Sequence, residues 1–525
     1  MSIDRSYERR LAELTSRDAG LEFQGGLKGV EKESLRVTPE GGISQSRHPV
    51  ALGSALTNPH ITTDFSEALI ELVTPTFPYT WELTQYLCDL HQFVFRQIGD
   101  EMLWATSMPC SIEGEASIPI ADYGPSNVGT MKKVYRRGLS HRYGPVMQAI
   151  SGVHFNYSFP ESFWPVYADL LESSDSGQDF RSRAYFSLLR NYRRMGWLVL
   201  YLFGNSPALC ESFLCGRPVD WLQRFSAGTV FGPHATTLRM SDLGYHNKTQ
   251  AALTVSVNDL SEYVRDLSRA ISTPHEPYER IGVKVDGAYR QLNANMLQIE
   301  NEFYSSIRPK RVIRPGERPT RALTRAGVEY VEIRSLDVSA FDPVGTNQNT
   351  LRFLEAFVAF CLLSESPLIE ASEQHEADSN CTRVAVQGRM PGLALSRGRQ
   401  SVALQSWALE ILDAMRGVCD LLDQGDDQSL FTTSLDLQIE KVRDPELTPS
   451  AQTLEEMRSN GESFYAFALR MSDQHRQYFL DLYSPNESRQ DQFAEEAARS
   501  LQAQTEIEAS DSVDFDEYLA QYFAD

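Results

Sequence analysis

The sequence predicts an α+β fold, and two observations carry the prediction. Between about residues 27 and 340, short segments alternate apolar and polar side chains with the period of two that belongs to strands, interleaved with helical stretches. Beyond Asn349 the apolar spacing becomes mainly helical. No repeat or low-complexity linker divides the chain. Residues 1–370 are therefore expected to form an α+β region bearing the functional site, with 371–525 a mainly helical region packed on it as one unit.

Taken in order, residues 1–20 place Tyr7, Leu11 and Leu14 at helical spacing and predict a short amphipathic helix. Strands are expected over Gly29–Val37, Glu67–Thr74, Val153–Phe159, Leu297–Phe303 and Val328–Ser335. Helices are expected over Trp81–Gly99, Arg181–Phe203, Arg352–Leu363, Ser401–Leu422, Thr453–Ser459 and Glu462–Tyr483. The stretch Asp378–Gly398, rich in Gly, Pro and Arg, reads as loop. The segment Pro485–Asp525 holds 11 acidic residues against Arg489 and Arg499. Its aromatics Phe493, Phe515, Tyr518, Tyr522 and Phe523 suggest docking helices with an acidic, solvated outer face.

Composition sets the bounds. The chain has 525 residues, 42% apolar and 23% charged, with a formal charge of −22. A field of that sign repels phosphate backbones and argues against general nucleic-acid binding, though not against a local nucleotide pocket. Met195–Phe203 and Phe353–Leu363 are the best apolar runs, and both fall short of the ~20 residues a membrane span needs. The start, Met1-Ser-Ile-Asp-Arg-Ser, shows no secretory signal. Seven scattered cysteines without a Cys-x-x-Cys pair read as reduced thiols, so a cytoplasmic protein is expected.

The informative feature is the polar face of the strands. In Gly29-Val-Glu-Lys-Glu-Ser-Leu-Arg-Val37, Glu31 and Glu33 share a face; in Glu67-Ala-Leu-Ile-Glu-Leu-Val-Thr74, Glu67 and Glu71 do, with Asp64 just before them. Val153–Phe159 sets His154, Asn156 and Ser158 opposite Val153, Phe155 and Tyr157. Leu297–Phe303 aligns Gln298, Glu300 and Glu302, and Val328–Ser335 aligns Tyr330, Glu332 and Arg334. Each has a plainer reading. Glu31 and Glu33 alone suit a solvated strand edge, Asp64 to Glu71 also fits a capped helix, and His154 alone suits a hydrogen-bonded core. Together they concentrate carboxylates, which raise one another's pKa unless cations lie between them. Hard divalent cations do so, and several Mg²⁺ bridging a nucleoside triphosphate on a concave sheet face is the functional reading.

The run Ile307-Arg-Pro-Lys-Arg-Val-Ile-Arg-Pro-Gly-Glu-Arg-Pro-Thr-Arg321 is either a phosphate-facing loop or surface compensation, and its prolines favour an extended loop over helix. Arg334 shares a face with Glu332 and suits charge on a transferring phosphoryl group. Tyr135-Arg-Arg-Gly-Leu-Ser-His-Arg-Tyr143 and Leu238-Arg-Met-Ser-Asp-Leu-Gly-Tyr245 fit either an amino-acid clamp or surface Arg–Tyr stacks. There is no P-loop, dinucleotide fingerprint or nucleophile elbow.

Several of these runs, with Leu-Gly-Ser-Ala-Leu-Thr, Ile-Thr-Thr-Asp-Phe-Ser-Glu-Ala-Leu-Ile-Glu and Ile-Ser-Gly-Val-His-Phe-Asn-Tyr-Ser, resemble glutamate–cysteine ligase (γ-glutamylcysteine synthetase) of the proteobacterial type. The resemblance covers about residues 25 to 365 and fades after 370. It implies a fold like the catalytic domain of glutamine synthetase, with a curved antiparallel sheet as active-site wall. The implied activity joins the γ-carboxylate of L-glutamate to the amine of L-cysteine through γ-glutamyl phosphate, with ATP as co-substrate and Mg²⁺, or Mn²⁺, as metal. That is the first step of glutathione synthesis. The resemblance carries metal binding onto Glu31, Glu33, Asp64, Glu71, His154 and Glu332, and catalysis onto Arg334 and Glu33. It carries the cysteine pocket onto Tyr135, Arg136, Arg239, Tyr245 and Tyr304. A monomer and feedback inhibition by glutathione are further family traits. A related carboxylate–amine ligase with another amino acceptor is the alternative, and a sensor that keeps the sheet without turnover is the reading from another class.

Overall fold

An eleven-residue strand, β1 (Leu27–Val37), organises the fold. It pairs antiparallel with β3 (Leu69–Val73) on one side and with β5 (Gly152–Ser158) on the other. Beyond β3 lies β2 (Ile61–Thr63); beyond β5 lie β7 (Tyr330–Asp337) and then β6 (Ile307–Lys310). The short β4 (Met102–Leu103) pairs with the end of β1. The structure is a computed structural model that describes residues 5–16, 20–244, 253–314, 316–482 and 486–524.

Alternation decides what each face of this sheet does. Val30, Ile70, Leu72, Val153, Phe155, Tyr157, Val331 and Ile333 all point to the back, into one apolar cluster. Burying each such side chain contributes roughly 1.5–3 kcal/mol. A slip of one residue in β1 would therefore drive Glu31 and Glu33 into that core, which pins the register. The core is closed by α2 (Thr80–Gln97), α4 (Gly177–Met195) and α6 (Gln348–Leu363). The Tyr192 hydroxyl of α4 meets Ser335 Oγ of β7 at 2.9 Å. Helix α6 starts where Asn347 accepts from the Thr350 amide, and α3 (Asn127–Tyr143) where Ser126 accepts from Gly129. The first helix, α1 (Arg5–Ser16), buries Tyr7 and Leu14 as its spacing predicts.

The chain after residue 370 packs around this unit. Helix α7 (Ala371–Gln387) lies on α4, α8 (Leu404–Leu422) on α6, and α9 (Phe464–Asp481) on α2. Helix α10 (Glu487–Ser510) crosses α2, and α11 (Phe515–Ala524) docks on α3. The acidic segment is thus helical, with Phe493 and Leu519 buried. Among the described residues no helix is long and apolar enough to cross a membrane.

Several expectations are corrected. Asp378–Gly398 is helical as far as Gln387, because Ala377, Asn380 and Val384 recur on one buried face, and a hairpin (Ala394–Arg397 with Gln400–Ala403) follows. The helix expected from Ser401 starts at Leu404. The helix expected over Arg181–Phe203 is two, meeting at Gly196. Leu297–Phe303 is not a strand but leads into a tight turn at Glu300–Glu302. Its Gln298 amide is taken by the Glu302 carboxylate at 2.6 Å, which folds the segment on itself instead of onto a neighbouring strand. The basic run splits into β6, a loop and a helix, α5 (Pro319–Ala326), with proline tolerated at the first helical position. The cysteines are not all free thiols: Cys110 and Cys210 form a disulfide. Their Cα atoms, 100 residues apart in sequence, stand 5.4 Å apart, within bridging range.

Candidate active site

The front of the sheet collects what alternation assigns to it. Register sets Glu31 of β1 opposite His154 of β5 and Glu33 opposite Glu71 of β3, while Asn156 of β5 faces Glu332 of β7. Glu31, Glu71 and His154 each offer a ligand atom within 4.8 Å of the other two. His154 Nδ1 lies 3.1 Å from Glu31 Oε2 and 3.8 Å from Glu332 Oε1, and its Nε2 lies 3.8 Å from Glu33 Oε1. Asn156 Nδ2 donates to Glu31 Oε1 at 3.0 Å, and the Gly152 amide to Glu33 Oε2 at 2.6 Å.

Electrostatics separates these acids. Burial, and then the charges of Glu31, Asp64 and Glu33, push the Glu71 carboxyl well above the usual range. Burial raises Glu33 too, against the opposing pull of His154. At Glu31 burial is outweighed by the His154 hydrogen bond and charge and by Lys310, and the net shift is downward. At Glu332 burial is outweighed by Lys310, Arg334 and Arg308, which hold it well below the carboxylate range. Arg334 Nη1 donates to Glu332 Oε1 at 2.8 Å, and Lys310 Nζ stands 3.5 Å from Glu332 Oε2. Positive charge thus gathers at the β6–β7 edge and surplus negative charge at β1 and β3.

Asp64 lies in the turn between β2 and β3, and the hairpin replaces the alternative of a capped helix. Its carbonyl accepts from Arg136 Nε and, at 3.0 Å, from the Tyr123 hydroxyl. Glu67 is not part of the front cluster, since its two oxygens accept from the His48 and Asp122 amides at 2.8 Å each.

Four of the five predicted acceptor residues, Tyr135, Arg136, Arg239 and Tyr304, lie among the described residues. Tyr135 and Arg136 stand on α3, and the Gln148 amide donates to the Tyr304 hydroxyl at 2.6 Å. Arg136 spends Nε and Nη1 on the carbonyls of Asp64 and Lys132 and lies 4.6 Å over the Tyr123 ring, so it anchors Asp64. Arg239 is buried, and its Nη2 donates to the Arg334 carbonyl at 2.9 Å. Gly152 is required there, because a Cβ would overlap the Arg239 guanidinium. Tyr245 falls outside the described residues.

Where the front face ends at Tyr330, a cavity of 840 Å³ opens, lined among others by Lys310, Arg308, Tyr330, Thr320 and Leu323. From sequence alone the basic run Ile307–Arg321 fits either a phosphate-facing loop or surface compensation. The structure turns Lys310 toward Glu332, while Arg308 is spent on the carbonyls of Asn301 and Phe303. Alternation of Arg308 and Lys310 within β6 is the signal that places both on the front face.

An antiparallel sheet with acids, a histidine, Arg308, Lys310 and Arg334 on its front, opening on a cavity of 840 Å³, is the kind of site that suits an ATP-dependent ligase. The chain belongs to the glutamate–cysteine ligase family, whose model matches residues 11–384. It is 49% identical over 523 residues to a glutamate–cysteine ligase of Alcanivorax borkumensis, covering 99% of each chain. It is also 49% identical over 498 residues to one from Pseudomonas aeruginosa, covering 95% of this chain and 94% of that one. The crystal structure of glutamate–cysteine ligase from Francisella tularensis in complex with AMP superposes with a TM-score of 0.90 at 37% identity, covering 96% of this chain and 99% of that one.

Proposed function

We propose that this chain ligates the γ-carboxylate of L-glutamate to the amine of L-cysteine, converting ATP to ADP and phosphate and giving γ-glutamylcysteine, the first step of glutathione synthesis. Family membership supports the reaction, and the observation that carries the site is the surplus of carboxylate where buried Glu33 and half-buried Glu31 and Glu71 gather beside Arg334. A carboxylate is a poor acyl donor, so phosphoryl transfer from ATP to the γ-carboxylate comes first. The cysteine amine then attacks the acyl phosphate and phosphate leaves. Such chemistry needs alignment and neutralised charge more than a protein nucleophile.

The donor set fits hard divalent cations: oxygens from Glu31, Glu33, Asp64, Glu71 and Glu332 with one imidazole, three of them close enough to share an ion. Mg²⁺ bound there, or Mn²⁺ in its place, would neutralise the triphosphate and these acids together. The residues do the rest. Arg334, beside Glu332, stabilises negative charge on the phosphoryl group in transfer. Glu33, fixed by the Gly152 amide, orients the front cluster toward the reacting carboxylate. The cavity beyond Tyr330 takes the base and sugar of ATP, with Lys310 between it and the front face. Tyr135, Tyr304 and Arg239 form the amino-acceptor pocket, to which the family resemblance of the sequence adds Tyr245. A cytoplasmic, monomeric enzyme open to feedback by glutathione completes this reading.

The test is ADP release from Mg·ATP and L-glutamate with and without L-cysteine, the product identified by mass. Cysteine-dependent release with γ-glutamylcysteine is expected. Release that requires another amine would keep the acyl-phosphate chemistry and replace the acceptor; Mg·ATP binding without turnover would leave a sensor.

A further inference from the structure

Alternation placed Glu300 and Glu302 with the acids of the front face, yet the structure uses neither there. Both are buried in the turn, and Glu300 Oε1 is taken by Arg318 and Thr320. Glu302 has a different set of partners. Its Oε1 accepts from Arg142 Nη1 at 2.8 Å and from the Tyr143 hydroxyl at 2.8 Å, and its Oε2 from the Gln298 amide at 2.6 Å. Arg142 is equally committed. Its Nε donates to Gln291 Oε1 at 2.9 Å and its Nη2 to the Asn293 carbonyl at 2.7 Å, and its guanidinium lies 4.1 Å over the Tyr278 ring. Neither side chain of the pair is exposed.

A fully buried ion pair often adds little net stability over apolar side chains of the same volume, so its placement asks for another reason. The pair joins the C-terminal end of α3 to the segment 291–304. These are the two pieces of chain that carry Tyr135 and Tyr304. A second tie runs in parallel. The wholly buried Gln298 donates through Nε2 to the Tyr135 carbonyl at 3.1 Å and accepts the Leu292 amide at 3.0 Å. Gly138 makes that approach possible, since a Cβ there would overlap the Gln298 amide. The Tyr143 ring, held through its hydroxyl by Glu302, meets the Tyr304 ring edge-on at 5.8 Å.

We infer that Glu302 is a positioning residue for the amino-acceptor pocket: through Arg142, Tyr143 and Gln298 it sets the spacing of Tyr135 and Tyr304, and so governs acceptor binding without touching the phosphoryl site. The inference rests on the proposal that these two tyrosines hold the acceptor amino acid.

The experiment is steady-state kinetics of full-length Glu302→Gln against wild type, with Michaelis constants for cysteine, glutamate and ATP measured separately. Replacing the carboxylate by an amide removes the charge opposite Arg142 and one of the acceptors. The expected result is a rise of about tenfold in KM for cysteine, with the constants for glutamate and ATP within about twofold of wild type. A cysteine constant within about threefold of wild type overturns the inference, as do equal rises in all three constants, which a merely structural role would give. If Glu302→Gln does not fold, Gln298→Leu, which cuts the parallel tie while leaving the ion pair in place, decides by the same two criteria. Wild-type enzyme that shows no cysteine-dependent ADP release brings down the proposed function, and this inference with it. Wild-type turnover with an unmoved cysteine constant in the variants brings down the inference alone.

Discussion

The two faces of β1 bury charge in opposite ways. On the back, Lys28 pairs with Glu355 at 2.6 Å, both nearly inaccessible, and also donates to the Pro78 carbonyl. On the front, two carboxylates of the same strand face Glu71 and Asp64, with the His154 ring and the Arg334 guanidinium beside them. Arg142–Glu302 and Arg36–Glu101 pair buried charge in the same way. On the front of the sheet, Glu71 is instead left among like charges. Leaving like charges together costs free energy in the isolated chain, so the surplus points to cations and a polyanion arriving from outside.

The largest expected effect breaks the front face. Arg334→Ala and Glu33→Gln should each lower kcat by at least about a thousandfold, as losses of groups that act on developing charge do. Their melting temperatures should stay within a few degrees of wild type. Turnover near the wild-type rate at saturating Mg²⁺ would remove these residues from the catalytic set.

The back face should answer in the other currency. Glu355→Gln strands Lys28 as a buried unpaired cation, a loss of about 3 kcal/mol in unfolding free energy. The kcat of the folded fraction should hardly change. Chemical denaturation alongside active-site titration measures both, and a variant as stable as wild type would show that the pair carries no structural load.

Metal addition sharpens the contrast. Saturating Mg²⁺ should raise the melting temperature of wild type, since a ligand bound only to the folded state stabilises it by about 2.7 kcal/mol at a hundred times its dissociation constant. Glu71→Gln, which removes one of the three clustered ligand groups, should lose most of that rise while melting no lower than wild type without metal. An undiminished response would place the ion elsewhere.

The front face was largely legible in sequence because it needs only local alternation. Glu31 and Glu33, His154 and Asn156, Glu332 and Arg334 fall on one side of their strands whatever the partners are. What alternation cannot see is a side chain that bonds its own backbone. The Glu302 carboxylate on the Gln298 amide turned an expected strand into a turn, and so moved two acids out of the front set. The last turns of helix α7 carry no local signal of their own, because the Gly, Pro and Arg that follow Gln387 adjoin them directly. The Cys110–Cys210 bridge joins residues with no local relation at all. Lys310 sat between these cases: its face followed from β6, but its use depended on Glu332 of the neighbouring strand.

The smallest expected effect lies behind the sheet, where α9 brings His475 close to Lys32 and His91 around a small cavity that Asp342 also lines. Burial, and then the Lys32 charge, lower the His475 pKa to about 4. The folded protein therefore binds fewer protons than the unfolded chain between about pH 6.5 and 4, so this group's contribution is intact above that window and lost as pH falls through it. One pKa unit is worth about 1.4 kcal/mol, which bounds the loss near 3 kcal/mol, and relaxation of the helix would make it smaller. His475→Gln should flatten the acid limb of the stability curve by about 1–2 kcal/mol between pH 6.5 and 4, leaving turnover at neutral pH unchanged. Urea titrations of both proteins across that range test it. Parallel curves would mean that the acid sensitivity of the back face comes from His91, whose pKa burial holds still further below its ordinary value.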